Sequence, residues 1–294
     1  MAALVLLARA VALLPWSWLR RLGAVVGAWA GSFLRIRRRH VESSMRMAGI
    51  ADPPARARAM YASLGTSLLE FLWVAGRAAP PRSRVGLTPR AAAVLQRHRD
   101  RMIVATAHTG NWDLVACAAA REHVALTIVT KRLAVRWLDE FWQRVRAAQN
   151  IELLSGDALF SRAAGALARG RAVALLIDQA PERSSAVIEA SFMGQRARCD
   201  LMPALLAART RAPLVLALGR RLADGSHEID IPLVLEPPQT PSRDWIETTT
   251  RELTSALEDF VRIHPAQWLW LHRRWKGFPE RACQGAVRTL SLSS

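Results

Sequence analysis

The feature that most constrains this chain is an alternation. Beyond residue 40, short apolar runs of strand length, "RMIVATA" (101–107), "VALTIVT" (124–130), "AVALLID" (172–178) and "PLVLALG" (213–219), alternate with helical patterns near 113–122, 135–148, 158–169 and 200–211. Near-continuous apolar runs predict strands covered on both faces, and intervening helices supply the crossovers that a parallel sheet needs. The expected fold class is therefore α/β, a largely parallel central sheet covered by helices. A helix over 53–75, a proline-rich break "RAAPPRSRVGLTP" (77–89), a half-exposed or edge strand "HEIDIPLVLE" (227–236) and a capped amphipathic helix starting at Ser242 complete the pattern.

The first 34 residues are of another kind: "MAALVLLARAVALLPWSWLRRLGAVVGAWAGSFL", apolar but broken by Arg9, Pro15, Arg20 and Arg21, and followed by "RIRRRH" (35–40). A membrane-crossing helix needs about 20 predominantly apolar residues. Two interfacial or partly inserted helices fit these residues as well as one tilted span. Gly23, Gly27 and Gly31 recur every four residues, either as a stripe that admits a second helix or as glycines merely tolerated. Arg9 interrupts the apolar stretch and the basic cluster follows it, which argues against a secretory signal peptide and for a cytoplasmic position of residues 35–39. The expected organisation is an N-terminal membrane-associated helical segment (1–34), one α/β domain (35–280) and a loose tail (281–294).

The 294 residues carry a net charge of +17, and Lys131 and Lys276 are the only lysines among 41 basic residues. Such a charge fits an anionic membrane face or an acidic protein partner, unless the arginines are only compositional. No nucleic-acid-binding signature accompanies it, so no nucleic acid partner is expected. Cys117, Cys199 and Cys283 lie far apart with no CxxC pair, so neither a disulfide framework nor a metal site is expected. The segment "QWLWLHRRWK" (267–276) reads as amphipathic, its tryptophans packed or at the membrane surface and its arginines at headgroups.

Chemistry concentrates at "RMIVATAHTGNWDLVACAAAREH" (101–123). Ligands of open α/β sheets sit beyond the carboxyl ends of the strands, and His108 ends one there. Asp113 follows in the first turn of the next helix, at a spacing that lets its carboxylate orient the imidazole as a general base without a protein nucleophile. The spacing is a weak signal, and the bland reading is a strand-end histidine followed by an ordinary helix-start acid. His108 is nevertheless the only histidine with an acid at that spacing, and it sits at a strand-to-helix turn.

The string "HTGNWD", the Asp178-Gln179 pair ending "AVALLIDQ" and "PAQWLWLHRRWKGFP" resemble the lipid A late acyltransferase family, within the glycerolipid or lysophospholipid acyltransferase superfamily. The resemblance implies a membrane-bound enzyme of the inner membrane, its site facing the cytoplasm. It would move a fatty acyl chain from a thioester, acyl carrier protein or coenzyme A, to a hydroxyl of a glycolipid such as a lipid A precursor. It implies His108 as base, Asp113 as its orienting acid, and no metal or organic cofactor. Substrate or oxyanion contacts are expected from Thr109, Gly110, Asn111, Lys131, Arg132, Arg144, Arg146, Asp178 and Gln179. Each basic residue is equally a candidate solvated charge, and Gly110 and Asn111 are candidates for shaping the turn alone.

The chain departs from the family where glutamate is common at Asp113 and Tyr-Arg-Pro at Thr130, Lys131 and Arg132. An aspartate there also resembles the phosphatidylinositol mannoside acyltransferase branch. A binding protein for anionic lipid, without catalysis, is the alternative of a different class.

Overall fold

The computed structural model describes residues 1–77, 84–182 and 185–278. Among them the helices are α1 (Ala2–Ala12), α2 (Trp16–Ala28), α3 (Arg38–Met47), α4 (Pro53–Arg77), α5 (Pro89–His98), α6 (Trp112–Arg121), α7 (Arg136–Ala147), α8 (Leu159–Ala168), α9 (Met202–Thr210) and α10 (Arg243–Ile263). The strands are β1 (Val85–Leu87), β2 (Ile103–Thr106), β3 (Leu126–Val129), β4 (Glu152–Leu154), β5 (Ala172–Leu176), β6 (Val187–Phe192), β7 (Gln195–Asp200), β8 (Leu214–Arg221) and β9 (His227–Leu235).

Seven strands form one sheet in the order β1-β9-β8-β2-β5-β3-β4, and β6 and β7 form a separate antiparallel hairpin. The sheet is parallel except where β9 runs antiparallel to β8. The four apolar runs are its central strands, and their burial on both faces explains why they lack alternation: Ile103 and Ala105 face one core, Met102 and Val104 the other. Of the two expectations for β9, half-exposed or at the edge, the first holds: buried and part-exposed residues alternate along it, and it lies second from the edge, covered by the three-residue β1. The short β1 and β4 had no sequence signal, because three residues show no period, and in the hairpin strand "QRARCD" the buried apolar side chains are only Ala197 and Cys199, too few to mark a strand.

Local chemistry sets the helix starts. Ser242 Oγ accepts from the Trp245 N–H to begin α10, Thr88 Oγ1 accepts from the Ala91 N–H ahead of Pro89 in α5, and Asn111 Oδ1 accepts from the Leu114 N–H in α6.

Residues 1–34 are helical and pack on α4. The glycine stripe is an interface: a Cβ at Gly27 would collide with the Tyr61 carbonyl, and one at Gly65 with the backbone of Gly23 and Gly27. The two helices cross with backbone touching backbone. Among the described residues no helix is long and apolar enough to cross a membrane. The outer faces of α1, α2 and the turn after them expose Leu6, Leu13, Val25, Trp29 and Phe33. The expected 281–294 tail and Cys283 lie outside the described residues; Cys117 and Cys199 are buried free thiols.

In the segment 267–276 the tryptophans are packed, one of the two expected placements, whereas Arg274 is buried in place of the expected headgroup position. Trp268, Trp270 and Arg274 are each 1% exposed, and the indoles of Trp268 and Trp275 pack on Phe192 of the hairpin. Apolar and basic residues here fill a core, because Arg274 hydrogen-bonds the Arg198 carbonyl and stacks on Phe192.

Candidate active site

In β2 and β5, Thr106 is in register with Leu176. Two residues further along each strand, at the carboxyl edge of the sheet, stand His108 and Asp178. The Asp178 side chain is fully buried. Its Oδ2 accepts the His108 backbone N–H and the Trp268 indole N–H, each at 3.0 Å, and its Oδ1 accepts from the His108 ring Nδ1 at 3.0 Å. Burial pushes the Asp178 carboxyl up, but the charge and hydrogen bonds of His108 outweigh it and hold the group well below the usual carboxylate range. With Nδ1 held by Asp178, the other ring nitrogen of His108 is left for chemistry.

The expected pairing of His108 with Asp113 is not what the structure has. Asp113 lies in the first turn of α6 and faces α7, where Oδ2 accepts from the Trp142 indole at 2.9 Å and Oδ1 from Arg146 Nη2 at 2.7 Å and Nε at 2.8 Å. Its carboxylate is spent on that buried ion pair. Sequence spacing favoured the nearer acid; strand adjacency supplies the one seventy residues away.

Thr109, Gly110 and Asn111 are turned into the fold and are absent from the lining of the cavity in front of His108. Thr109 is 1% exposed and its Oγ1 accepts from the Gly219 N–H. Gly110 takes φ +54, its N–H donates to the Gln267 carbonyl, and a Cβ there would lie 2.7 Å from the Gly219 oxygen, so glycine is required. The Asn111 amide donates to Glu70 Oε2 at 2.9 Å.

Glu70, on α4, had no sequence signal and proves to be the hub behind this turn. It also accepts from Arg221 at 2.8 Å and His227 Nε2 at 3.0 Å. Burial pushes its carboxyl up, and these partners bring it down to about 2. The Arg221 guanidinium further donates to Ser63 and Ser67, and Ser67 donates to the Gly110 carbonyl. The turn that carries His108 is therefore clamped from below by a buried ionic network.

In front of His108 opens a cavity of about 770 Å³. It runs between the sheet and α5, α6 and α7, past Val104, Ala174, Val215, Ile128, Ala116 and Ala119 to Met102 and Val124. His108 and Met102 stand six residues apart, which at ~3.3 Å per residue gives a depth of ~20 Å. The walls are mostly apolar, interrupted by the Asp113–Arg146 pair and Gln143, and Lys131, Arg132, Gln179, Glu182 and His272 line the same cavity as His108.

Lys131 and Arg132 line the mouth, Lys131 paired with Glu182 at 3.2 Å and Arg132 with Asp139 at 3.2 Å. Arg146 meets the cavity wall but is bound to Asp113, while Arg144 is exposed and absent from the lining. These four basic residues thus do not act as one group.

His272, in the amphipathic segment 267–276 and given no catalytic role from the sequence, lines the cavity beside His108. The His272 ring lies 4.6 Å from that of His108, and Gln179 Nε2 donates to His272 Nε2 at 3.3 Å. Burial, then the neighbouring His108, brings the His272 ring down to about 4. His108, Asp178 and His272 each bring a ligand-type atom within 4.8 Å of the others. Both oxygens of Asp178 are already committed to hydrogen-bond donors, His108 and Trp268, and His272 joins this pair through ring contact with His108, its own hydrogen bond going to Gln179.

Residues 2–277 match the family described as bacterial lipid A biosynthesis acyltransferase. The chain belongs to that family. It is an acyltransferase of lipid A biosynthesis type, acting on a lipid acceptor, and the histidine at the cavity mouth lies within the matched region. A lipid A biosynthesis lauroyltransferase of Escherichia coli (strain K12) is 25% identical over 278 residues, covering 91% of this chain and 88% of that protein. A solved 1-acyl-sn-glycerophosphate acyltransferase of Thermotoga maritima covers 84% of this chain and 96% of its own at 10% identity. Its TM-score of 0.38 is too low a likeness to carry an argument.

Proposed function

We propose that this acyltransferase moves a fatty acyl chain from a thioester donor to a hydroxyl of a membrane glycolipid, with His108 as general base and Asp178 as the acid that orients it. The observation that carries the reading is the placement of the His108–Asp178 pair at the mouth of a deep apolar cavity.

In this reading the acyl chain lies along the cavity. An extended chain advances about 1.2 Å per bond, so ~20 Å holds a tail of up to ~16 bonds. The thioester carbonyl then rests near His108. His108 takes the proton of the acceptor hydroxyl as its oxygen attacks the carbonyl carbon, and returns it to the sulfur as the C–S bond breaks. Asp178 keeps the Nδ1–H tautomer and stabilises the imidazolium between the two steps. Asp113 and Arg146 serve by fixing α6 to α7 across the cavity wall. This acid–base chemistry calls for no metal or organic cofactor.

An acidic acyl carrier protein suits a chain of net charge +17 with Lys131 and Arg132 at the cavity mouth. A lipid A precursor is the acceptor favoured by the family. The exposed apolar residues of α1 and α2, with Arg35 to Arg39 after them, would seat the protein on the cytoplasmic face of the inner membrane.

The test is acyl transfer in purified membranes, wild type against His108→Ala, with carrier-protein and coenzyme A thioesters offered separately and products read by mass spectrometry. A glycolipid that gains an acyl chain only with the wild type supports the reading. A preference for the coenzyme A thioester, or a phosphatidylinositol mannoside product, would redirect it to that branch. Equal products from both proteins would leave an anionic-lipid-binding protein.

A further inference from the structure

Acyl transfer needs more than a base. When the acceptor oxygen adds to the thioester, the carbonyl π pair moves onto oxygen, and this oxyanion needs a donor fixed close to His108. The arginines and Lys131 expected in that role are engaged with carboxylates or exposed. Backbone N–H groups around the turn are spent inside the fold: Thr109 on the Ala107 carbonyl, Gly110 on that of Gln267, Leu269 on that of His108.

His272 is differently placed. It lines the same cavity as His108, 4.6 Å away ring to ring and tilted by 56°. Its backbone is anchored: Arg37 donates to the Leu271 carbonyl at 2.9 Å and His40 Nε2 donates to the His272 carbonyl at 3.1 Å. The Gln179 amide, donating to Nε2, leaves the ring proton on Nδ1. Asp178 orients His108 and Gln179 orients His272, through two adjacent residues at the end of one strand.

We propose that His272 is a catalytic residue that donates a hydrogen bond to the oxyanion of the tetrahedral intermediate, with Gln179 as its positioning residue. The inference rests on the reading of His108 as base. As the acceptor O–C bond forms, the acceptor proton moves to His108 and the carbonyl electron pair to oxygen, where the His272 N–H meets it. On collapse the C=O bond reforms, the C–S bond breaks, and His108 returns its proton to sulfur. His272 neither gains nor loses a proton.

A neutral donor suits this place. Among the described residues, His108, Asp178, Arg37 and Lys131 act on the His272 ring and His40 meets its carbonyl, and burial with His108 beside it keeps the ring uncharged near neutral pH. A second cation there would oppose formation of the His108 imidazolium; a neutral N–H does not.

The experiment compares His272→Phe, which keeps the ring's bulk without an N–H, with His272→Gln, which keeps a donor, alongside His108→Ala and Gln179→Leu. Thermal melting checks each fold. His272→Phe should lose ~10²- to 10³-fold in kcat, the effect of deleting one oxyanion donor, with the thioester KM within ~3-fold of wild type. His272→Gln should recover at least ~10-fold of that loss, and Gln179→Leu should show a smaller kcat loss of the same kind. If His272→Phe turns over within ~3-fold of wild type while His108→Ala is inactive, the inference falls and the base reading stands. A loss confined to KM, or equal losses in His272→Phe and His272→Gln, overturns it too. If His108→Ala is itself fully active, it is the base reading that has failed.

Discussion

Replacing Asp178 by asparagine makes a demanding test of which acid serves His108. The substitution keeps shape and volume, and the hydrogen bonds dictate how the new amide must sit. Asp178 Oδ2 accepts two donors that cannot move, the His108 backbone N–H and the Trp268 indole N–H. The asparagine oxygen therefore takes that place and turns its NH2 toward His108 Nδ1. A ring nitrogen facing an N–H donor must accept, so the imidazole proton shifts to the other nitrogen, the one that has to take up the acceptor's proton. The base is then blocked by its own proton. The expected loss is ~10⁴ in kcat, about 5 kcal/mol of barrier, with little change in thioester KM. The assay is steady-state acyl transfer paired with ¹⁵N spectra of His108, which read the tautomer directly. Asp113→Asn is the control: it breaks the pairing with Arg146 and loosens α6 against α7, but leaves Nδ1–H in place. Turnover of Asp178→Asn within tenfold of wild type, or a tautomer change in Asp113→Asn alone, would refute the reasoning.

Three further outcomes are expected. Glu70 is held at about 2 against an ordinary 4.5, so the stability it contributes is complete above pH 4.5 and is lost as pH falls toward 2. Glu70→Gln should lower stability at pH 7 and flatten that part of the urea midpoint's pH profile, an effect on the order of 3 kcal/mol; an unchanged slope would contradict it. Ala119→Phe, placed deep along α6, should shorten the preferred acyl chain by roughly four carbons in donor competition read by mass spectrometry, whereas an unchanged preference would remove the chain from this cavity. Gly27→Val should collide with the Tyr61 carbonyl and cost about 1–3 kcal/mol, seen as a melting temperature several degrees lower; an unshifted melt would mean that α2 does not need its contact with α4.

The amino-acid sequence by itself determined the fold class, since a covered parallel sheet demands near-continuous apolar strands and helices between them, and both patterns are local. It also determined that His108 ends a strand, that Ser242 caps a helix, and, through the "HTGNWD" string, the family. The partner of His108 was decided only in three dimensions. Asp178 meets it because β5 lies beside β2 in a register that spacing along the chain does not encode, while the nearer Asp113 is drawn off by Trp142 and Arg146 from α7. Glu70 and His272 were hidden for the same reason. One sits on a long helix and the other in an arginine-rich, tryptophan-rich stretch, and each gains its meaning from side chains that folding brings to it from more than forty residues away.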